Sequence, residues 1–207
     1  MRKLILQMQA SVDGLVGRDG DGPGWQLWDW GEDCPWDRLL QDRFNGFIAA
    51  ADTVLLSRTI VETGYLDHWA AMAALAQQKP VFAFARRITE ARKVIFSKSL
   101  TETRWPGTEL ATRDLVEEVY DLKSQPGTNI IGFGGAGFAS ALLAAGVVDE
   151  VELYINPVAL GHGLTLFADA AGDTALRLIS AQAYECGIVV TAHATAGQLS
   201  PAGDRTA

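Results

Sequence analysis

Residues 129–167 hold the pattern that decides the fold, and they read NIIGFGGAGFASALLAAGVVDEVELYINPVALGHGLTLF. A short apolar run at 130–133 breaks at the glycine-rich turn 134–137. An apolar segment with helical spacing follows and ends near Gly146, and a second apolar run occupies 151–155. This order of strand, glycine turn, helix and strand predicts a βαβ crossover between parallel strands.

The glycine turn at 134–137 has the chemistry of an anion site. Glycine lets a ligand approach the backbone closely, and the first turn of a helix presents unpaired N–H groups with a partial positive charge. Phosphate suits such a corner. The spacing Gly132-x-Gly134-x-x-Gly137 matches the pattern GxGxxG, but it falls late in the chain and acidic residues follow too soon, at 149–150. Taken alone, the turn leaves phosphate binding and simple helix packing as alternatives.

Length and composition restrict the class of protein. The chain has 207 residues, and we expect residues 1–196 to form a single domain, with 197–207 as a flexible tail. Its formal net charge of −8 argues against a nucleic-acid partner. The apolar runs are too short to span a membrane and the first residues lack a signal-peptide pattern, so we expect a cytoplasmic protein. Cys34 and Cys186 lack metal-ligand spacing, so no metal site is predicted.

Strand and helix patterns alternate through most of the chain. The patterns predict a strand at 2–9, a helix at 35–50 beginning at Pro35, a strand at 53–56, and an irregular helix from Ser57. They continue with strand-like runs at 80–85 and 93–96 and a helix capped by Thr112. Strands near 176–183 and 187–194 read as an antiparallel pair. The predicted fold is α/β: a doubly wound, mostly parallel sheet with helices on both faces and a C-terminal antiparallel hairpin.

Polar and basic residues follow several of the predicted parallel strands. Ligands of such sheets collect at the carboxyl ends of the strands. These ends carry an acid, two pairs of a hydroxyl with a basic residue, and the glycine turn. An elongated polyphosphate fits several anion-binding corners on one edge better than a single phosphate does, so this edge favours a nucleotide. The residues concerned are Asp13, Ser57, Arg58, Thr59, Ser97, Lys98 and the turn 134–137.

Four of the six tryptophans lie in or beside a segment rich in glycine and acidic residues, at 17–36. Their rings either cap the core or form a lid over a flat ligand. As candidate substrate contacts we take Trp28, Trp36 and, further along the chain, Trp69. His68 could also line the substrate side, although a lone histidine among apolar residues is more often structural.

Four stretches together resemble the dihydrofolate reductase superfamily, and most closely its branch related to the reductase domain of bacterial riboflavin biosynthesis. They are SVDGLV at 11–16, LLSRTIVE at 55–62, VIFSKSL at 94–100, and the glycine turn continuing through GVVDE at 146–150 to NPVALG at 156–161. Each stretch is short, but their order and spacing across about residues 2–167 are specific. The resemblance implies a dihydrofolate-reductase-like sheet, NADPH as cofactor and, by analogy, a homodimer.

The resemblance also implies the residues of an NADPH site. The turn would hold the pyrophosphate, and in this family its first two glycines are joined by a cis peptide. The basic and hydroxyl residues after the other strands would contact phosphates, and a lysine would favour NADPH over NADH by pairing with the 2′-phosphate. The backbone of the first strand and the mobile loop after it would hold the nicotinamide carboxamide. In that order the implied residues are Gly134, Gly135, Ala136, Gly137 and Phe138; Ser57, Arg58 and Thr59; Ser97 and Lys98; and Gln9, Val16 and Gly17.

The match to the family is weaker on the substrate side. Ser57 stands where the family usually has glycine, and Ile60 where it often has a hydroxyl residue. The helix acid that protonates dihydrofolate has no secure counterpart, because Asp37 and Asp42 lie at the wrong distance along the helix. Asp13 ends the first strand beside the expected nicotinamide and is the predicted catalytic acid, with turn formation as the alternative.

These inferences predict an NADPH-dependent reductase that transfers hydride to a small planar heterocycle, pterin-like or pyrimidine-like, or to a carbonyl compound. Two alternatives stay open. One is the riboflavin-pathway reduction of 5-amino-6-(5-phosphoribosylamino)uracil. The other is a binding module that holds NADP(H) without turnover.

Overall fold

The computed structural model describes residues 1–18, 25–26, 35–75, 83–169 and 174–195. The strands are β1 (Leu4–Ser11), β2 (Leu15–Gly17), β3 (Ala51–Ser57), β4 (Arg92–Phe96), β5 (Thr108–Leu110), β6 (Asn129–Phe133), β7 (Glu150–Asn156), β8 (Leu164–Thr165), β9 (Leu176–Ala183) and β10 (Val189–Thr195). The helices are α1 (Arg38–Ala49), α2 (Arg58–Glu62), α3 (Tyr65–Leu75), α4 (Ala83–Glu90), α5 (Leu115–Ser124) and α6 (Ala136–Ala144). The predicted tail at 197–207 lies outside the described residues.

Eight strands form one sheet in the order β5-β4-β3-β6-β1-β7-β10-β9. The first six strands in this order pair in parallel, and β10 pairs antiparallel with both β7 and β9. The short strands β2 and β8 form a separate two-stranded sheet. The predicted mostly parallel sheet with a C-terminal antiparallel hairpin is therefore confirmed. Because the parallel strands point the same way, the carboxyl ends of β1, β3, β4 and β6 meet at one edge.

Two hydrophobic clusters cover the opposite faces of the sheet. One contains buried residues of α1, α3 and α4, including Phe44, Trp69 and Phe84. The other contains buried residues of α5 and α6. Along β1 the alternation of a strand places Leu6 and Met8 in the second cluster, so the intervening glutamines point to the face of α1, α3 and α4. Helices therefore lie on both faces of the sheet, as predicted.

Three local predictions were wrong in position or type. The strand-like run at 80–85 instead includes the start of α4, in which Phe84, Ala85 and Ile88 are buried at helical spacing; residues 80–82 lie outside the described part of the chain. Helix α5 is capped by Asp114, whose carboxylate accepts a 2.8 Å hydrogen bond from the Glu117 backbone N–H, and not by Thr112.

Helix α1 also begins later than predicted. Asp37 is its N-cap and accepts a hydrogen bond from the Leu40 backbone N–H, so Pro35 lies before the helix. In both helices an acidic side chain satisfies an otherwise unpaired first-turn N–H, which is why it sets the boundary. Among the helices described, none is long and apolar enough to cross a membrane.

Candidate active site

Two adjoining cavities occupy the carboxyl edge of the sheet and meet at the glycine turn between β6 and α6. The cationic cavity, of about 620 Å³, is lined by residues 57–59, 96–99, Gly135, Gly137 and Phe138. The neutral cavity, of about 520 Å³, is lined by residues 7–9, Val16, Gln26, Ile60, 63–65, His68, Trp69 and 133–136. Gly135 lines both. The structure thus brings together residues from four strand ends that are far apart in sequence.

Arg58 and Lys98 supply the positive charge of the cationic cavity. Arg58 is the first residue of α2, and its Nη1 donates to Glu62 Oε2 at 2.6 Å, with both side chains nearly half exposed. Such an exposed pair is worth at most about 1 kcal/mol, so a phosphate can compete with Glu62 for the guanidinium. Lys98 is exposed and makes no ion pair within the described part of the chain. Both cations are therefore available to an anion.

Serine side chains shape the turns that carry these two cations. Ser57 Oγ accepts a hydrogen bond from the Ile60 backbone N–H and so caps α2. Ser97 Oγ accepts from the backbone N–H groups of Ser99 at 3.1 Å and Leu100 at 2.9 Å, which closes the turn on which Lys98 sits. Thr59 lines the same cavity. The side chains of Ser57 and Ser97 thus hydrogen-bond to the backbone, and the residues that follow them, Arg58 and Lys98, line the cavity.

The three glycines of the turn have different roles. A Cβ on Gly134 would lie 2.5 Å from Phe138 Cδ1, so this glycine allows Phe138 to pack; the Phe138 ring in turn contacts the Phe96 ring, with 5.4 Å between centroids. Among the described residues, no heavy atom outside the chain neighbours and the helix's own backbone lies within 4 Å of a Cβ built on Gly135 or Gly137. These two glycines leave open space beside the start of α6, which has no side-chain cap. The first-turn N–H groups of α6 therefore face a space that an anion can fill.

The cis peptide implied for the first two glycines of the turn is absent. All peptide bonds of the described residues are trans, including that between Gly134 and Gly135. A peptide bond that does not precede proline is more stable in the trans form than in the cis form by about 3 kcal/mol. This expectation from the resemblance was wrong.

The neutral cavity is lined by aromatic rings and by the side-chain amides of two glutamines. Tyr65, Trp69 and Phe133 form an aromatic wall, and Gln7 and Gln9 of β1 reach the cavity from the sheet. Burial raises the pKa of the Tyr65 hydroxyl, although a hydrogen bond with the Trp69 side chain opposes the shift. Tyr65 is therefore uncharged at neutral pH. Of the described residues that line this cavity, none is Asp, Glu, Lys or Arg.

Asp13 does not lie in either cavity lining, and its carboxylate is occupied by the backbone. It accepts hydrogen bonds from Ser11 Oγ at 2.6 Å, from the Leu160 N–H at 3.1 Å and from the Gly161 N–H at 2.7 Å. The hydrogen bond from Ser11 and then the two backbone N–H groups lower the pKa of Asp13 to about 2. An acid this strong is ionised at neutral pH and has no proton to give. These contacts favour turn formation, the alternative role, for Asp13.

The tryptophans predicted to contact substrate have different positions. Trp36 is 3% exposed and stacks on Tyr154 at 5.5 Å between ring centroids, so its ring belongs to the core and is not available to a ligand. Trp69 lines the neutral cavity but is only 1% exposed, because Phe84 packs against it. It forms part of the wall and offers no open face for stacking. Trp28 lies outside the described residues.

The remaining predicted site residues divide between the cavity and its surroundings. Gln9 and Val16 line the neutral cavity beside Ala136. Gly17 lies in β2 and packs against Leu164 of β8, where a Cβ would meet Leu164 Cδ1 at 3.4 Å. Neither cavity lining includes Gly17 among its described residues.

The acids of α1 are engaged elsewhere. Asp37 caps the helix and also accepts a hydrogen bond from the Cys186 N–H, and Asp42 pairs with Arg38 on the surface. Neither lines a cavity among the described residues.

Several lining residues were missed by sequence reasoning, notably Gln7, Tyr65, Phe133 and Ser99. A signal existed for Gln7, because β1 reads LILQMQAS and two glutamines interrupt an otherwise apolar buried strand. A buried polar side chain in such a strand needs a partner, which is what a ligand cavity provides.

The groove formed by both cavities fits a dinucleotide in its distribution of charge. The cationic cavity suits phosphates, and the open space at Gly135 and Gly137 allows them close to the backbone. The neutral cavity suits an uncharged aromatic ring. The residues present therefore fit a group that has phosphates at one end and an uncharged ring at the other, as NADPH has.

Comparisons with known proteins identify the relatives of this chain. The family model described as RibD C-terminal domain matches residues 2–190. The uncharacterized protein YyaP of Bacillus subtilis (strain 168) is 27% identical over 191 residues, covering 91% of this chain and 92% of YyaP.

Solved structures share the fold. A pyrimidine reductase-like protein from Corynebacterium diphtheriae has a TM-score of 0.62 and 14% identity, covering 94% of this chain and 92% of that chain. A diaminohydroxyphosphoribosylaminopyrimidine deaminase/5-amino-6-(5-phosphoribosylamino)uracil reductase from Thermotoga maritima has a TM-score of 0.63 and 16% identity, covering 94% of this chain and 56% of that chain.

Proposed function

This chain belongs to the RibD C-terminal domain family, and we propose that it is an NADPH-dependent reductase of a small, planar, uncharged heterocycle or carbonyl compound. One observation carries the proposal: the groove at the carboxyl edge has exposed cations on one side of the glycine turn and neutral amides and aromatic rings on the other. A cofactor with phosphates at one end and a neutral reactive ring at the other matches this division.

Each part of the groove has a distinct task in this function. Lys98 pairs with the 2′-phosphate, and Arg58 with the pyrophosphate that also approaches the first turn of α6. The backbone of Gln9 and Val16 orients the carboxamide of the nicotinamide. NADPH, when bound, supplies a hydride from its nicotinamide ring.

The proton that accompanies the hydride comes from a group other than Asp13. Asp13 is ionised and bonded to the backbone. Within the described lining of the neutral cavity, the titratable side chains that carry exchangeable protons are Tyr65 and His68. The aromatic wall bounds the space that the substrate ring occupies.

Family membership favours a second candidate, the riboflavin-pathway reduction of 5-amino-6-(5-phosphoribosylamino)uracil. That substrate carries a phosphate in addition to those of NADPH, and a phosphate is normally held by basic side chains. The neutral cavity has no Lys or Arg among its described lining residues. The segment 19–34, which includes the lining residue Gln26, also contains no Lys or Arg in its sequence. We therefore place the uncharged substrate first.

The cofactor assignment is tested by thermal unfolding with NADPH and with NADH. NADPH should raise the Tm of the wild type more than NADH does, because only NADPH has the 2′-phosphate. Lys98→Met should remove this difference, whereas Lys3→Met, the same change far from the groove, should keep it. Arg58→Ala should weaken both cofactors alike by about 1–3 kcal/mol, the value of a charged hydrogen bond. Equal shifts by NADPH and NADH in the wild type would refute the assignment.

Turnover separates the reductase from a binding module. NADPH oxidation is followed with pterins, pyrimidinediones, ribosylaminopyrimidine phosphates and carbonyl compounds. We expect oxidation with an uncharged ring or carbonyl compound. Oxidation only with the phosphorylated pyrimidine would establish the second candidate, and NADPH binding without oxidation by any compound would favour a binding module.

A further inference from the structure

Two glutamine side chains of β1 carry unused hydrogen-bond donors at the neutral cavity. Gln7 is 5% exposed and Gln9 is 9% exposed, and both line the cavity. The Nε2 atom of each is buried and has no hydrogen-bond partner within the described part of the chain. Buried amides are normally satisfied, because leaving a donor unpaired is costly. Two such donors at one cavity indicate that a ligand satisfies them.

The orientation of the Gln9 amide is fixed by its neighbour Asn156. Asn156 Nδ2 lies 3.0 Å from the carbonyl oxygen of Tyr154 and 3.3 Å from that of Ala10, so this atom is a donor. It also donates to Gln9 Oε1 at 2.8 Å. The oxygen of Gln9 must therefore face Asn156, and its NH₂ group must face away from it.

The strand order places the neutral cavity on the side of β1 away from Asn156. Strand β1 lies between β6 and β7 in the sheet, and Asn156 is the last residue of β7. The neutral cavity lies on the other side of β1, where Phe133 and Gly134 at the end of β6 line it. Gln7 contributes a second amide to the same cavity, and no described partner fixes which way that amide points.

We propose that Gln9 is a specificity-determining residue whose amide NH₂ selects a substrate ring with hydrogen-bond acceptors, such as carbonyl oxygens, along one edge. A ring whose edge carries amino groups places donors against this donor and is rejected. Such a ring would pair best with a carboxylate, which the described lining of the neutral cavity does not contain. Gln7 adjusts its amide to the second polar atom of the ring. The inference rests on the proposed function, since it concerns the substrate side of that groove.

Two compounds with the same bicyclic ring test the selection. Lumazine, with carbonyl groups at positions 2 and 4, and 2,4-diaminopteridine are titrated into the protein at neutral pH by calorimetry, with and without NADP⁺. The wild type should bind lumazine at least about tenfold more tightly, the range expected for one buried group left unpaired. Equal binding, or tighter binding of 2,4-diaminopteridine, would overturn the proposal without any variant.

Replacement of the amide tests the residue itself. Gln9→Met keeps the side-chain length but removes the donor, and Asn156 retains its two backbone carbonyl partners. This variant should lose about tenfold in lumazine affinity and bind 2,4-diaminopteridine as the wild type does. Gln182→Met, the same change on the exposed strand β9, is the control. A purely structural role would instead lower the Tm of the Gln9 variant and leave the preference between the two rings unchanged.

The role of Gln9 and the proposed cofactor site can be refuted separately. Titration with 2′,5′-ADP measures the cationic cavity alone. If 2′,5′-ADP binds and the ring preference is absent, the assignment of Gln9 is wrong and the cofactor site stands. If the ring preference follows Gln9 while neither 2′,5′-ADP nor NADPH binds, the proposed function is wrong and the donor role of Gln9 is supported.

Discussion

The two edges of the sheet both carry cations beside a cavity, and they use them in opposite ways. At the amino edge, Arg2 is 7% exposed and pairs with Asp52, and Lys123 is 3% exposed with its Nζ 2.6 Å from Asp149 Oδ2. At the carboxyl edge, Lys98 is exposed and has no ion pair among the described residues. The amino-edge cavity, of about 710 Å³, is larger than the neutral cavity of about 520 Å³. Cavity size and basic residues alone therefore do not identify a ligand site.

The difference lies in whether the charge is already neutralised. A buried cation is stable only when it is paired and hydrogen-bonded, so the partners of Arg2 and Lys123 are part of the fold. Lys123 also donates to the Val147 carbonyl oxygen at 2.6 Å. An exposed cation is solvated by water and can exchange that water for a phosphate at little cost. The cations of the amino edge are therefore neutralised by partners within the fold, whereas Lys98 at the carboxyl edge can still pair with a ligand.

The largest expected effect comes from removing a cation at the amino edge. Lys123→Met should lower the free energy of unfolding by about 3 kcal/mol, because it leaves the buried carboxylate of Asp149 without its cation. NADPH affinity of the folded variant should not change. Lys98→Met is the matched control and should alter stability by no more than about 0.5 kcal/mol while weakening NADPH. Urea denaturation and calorimetric titration measure both quantities.

If Lys123→Met were as stable as the wild type, the two edges would not differ in the way proposed. Loss of NADPH binding in the folded Lys123 variant would contradict the placement of the cofactor at the carboxyl edge.

A smaller effect separates the glycines that serve packing from those that leave space. Gly137→Ala should stabilise the ligand-free protein by about 0.5–1 kcal/mol, because alanine is the better helix former and its Cβ would meet no other part of the described chain within 4 Å. It should also weaken NADPH by filling space beside the helix start. Gly134→Ala should destabilise the protein by about 1–3 kcal/mol, because its Cβ would meet Phe138 at 2.5 Å. Thermal unfolding with and without NADPH distinguishes the two, and an unchanged NADPH affinity in Gly137→Ala would exclude that glycine from the site.

Asp13 lies at the carboxyl edge, but its charged carboxylate accepts backbone hydrogen bonds and so stabilises the fold. Replacing it should change the stability of the protein in a pH-dependent way. Its folded-state pKa of about 2 lies below the usual 3.8, so its contribution to stability is complete above pH 4 and is lost as the pH falls towards 2. The stability difference between wild type and Asp13→Asn should therefore be present at about pH 6 and vanish near pH 2. Urea midpoints across this range provide the measurement. A difference independent of pH would show that Asp13 is not a charged acceptor.

The lining of the cationic cavity was predictable because it depends on local signals. Arg58, Lys98 and the glycine turn each follow a recognisable strand, and parallel strands bring their carboxyl ends to one edge. The substrate side was less predictable. Trp36 and Trp69 occur in apolar patterns that fit both a core and a lid, and only their packing shows that Trp36 lies in the core. The predicted starts of two helices were wrong because a single capping side chain, such as Asp114, determines where the first turn begins.

By itself, the sequence determined the alternation of strands and helices, the parallel sheet with its terminal hairpin, and which residues follow each strand. These depend on periodicity and turn chemistry within short segments. The tertiary structure alone decided which polar groups are already paired. Asp13 is held by the backbone of Leu160 and Gly161, and Gln9 is oriented by Asn156, 147 residues away. A side chain is free to act on a ligand only if no such distant partner takes its hydrogen bonds, and that depends on how the segments pack.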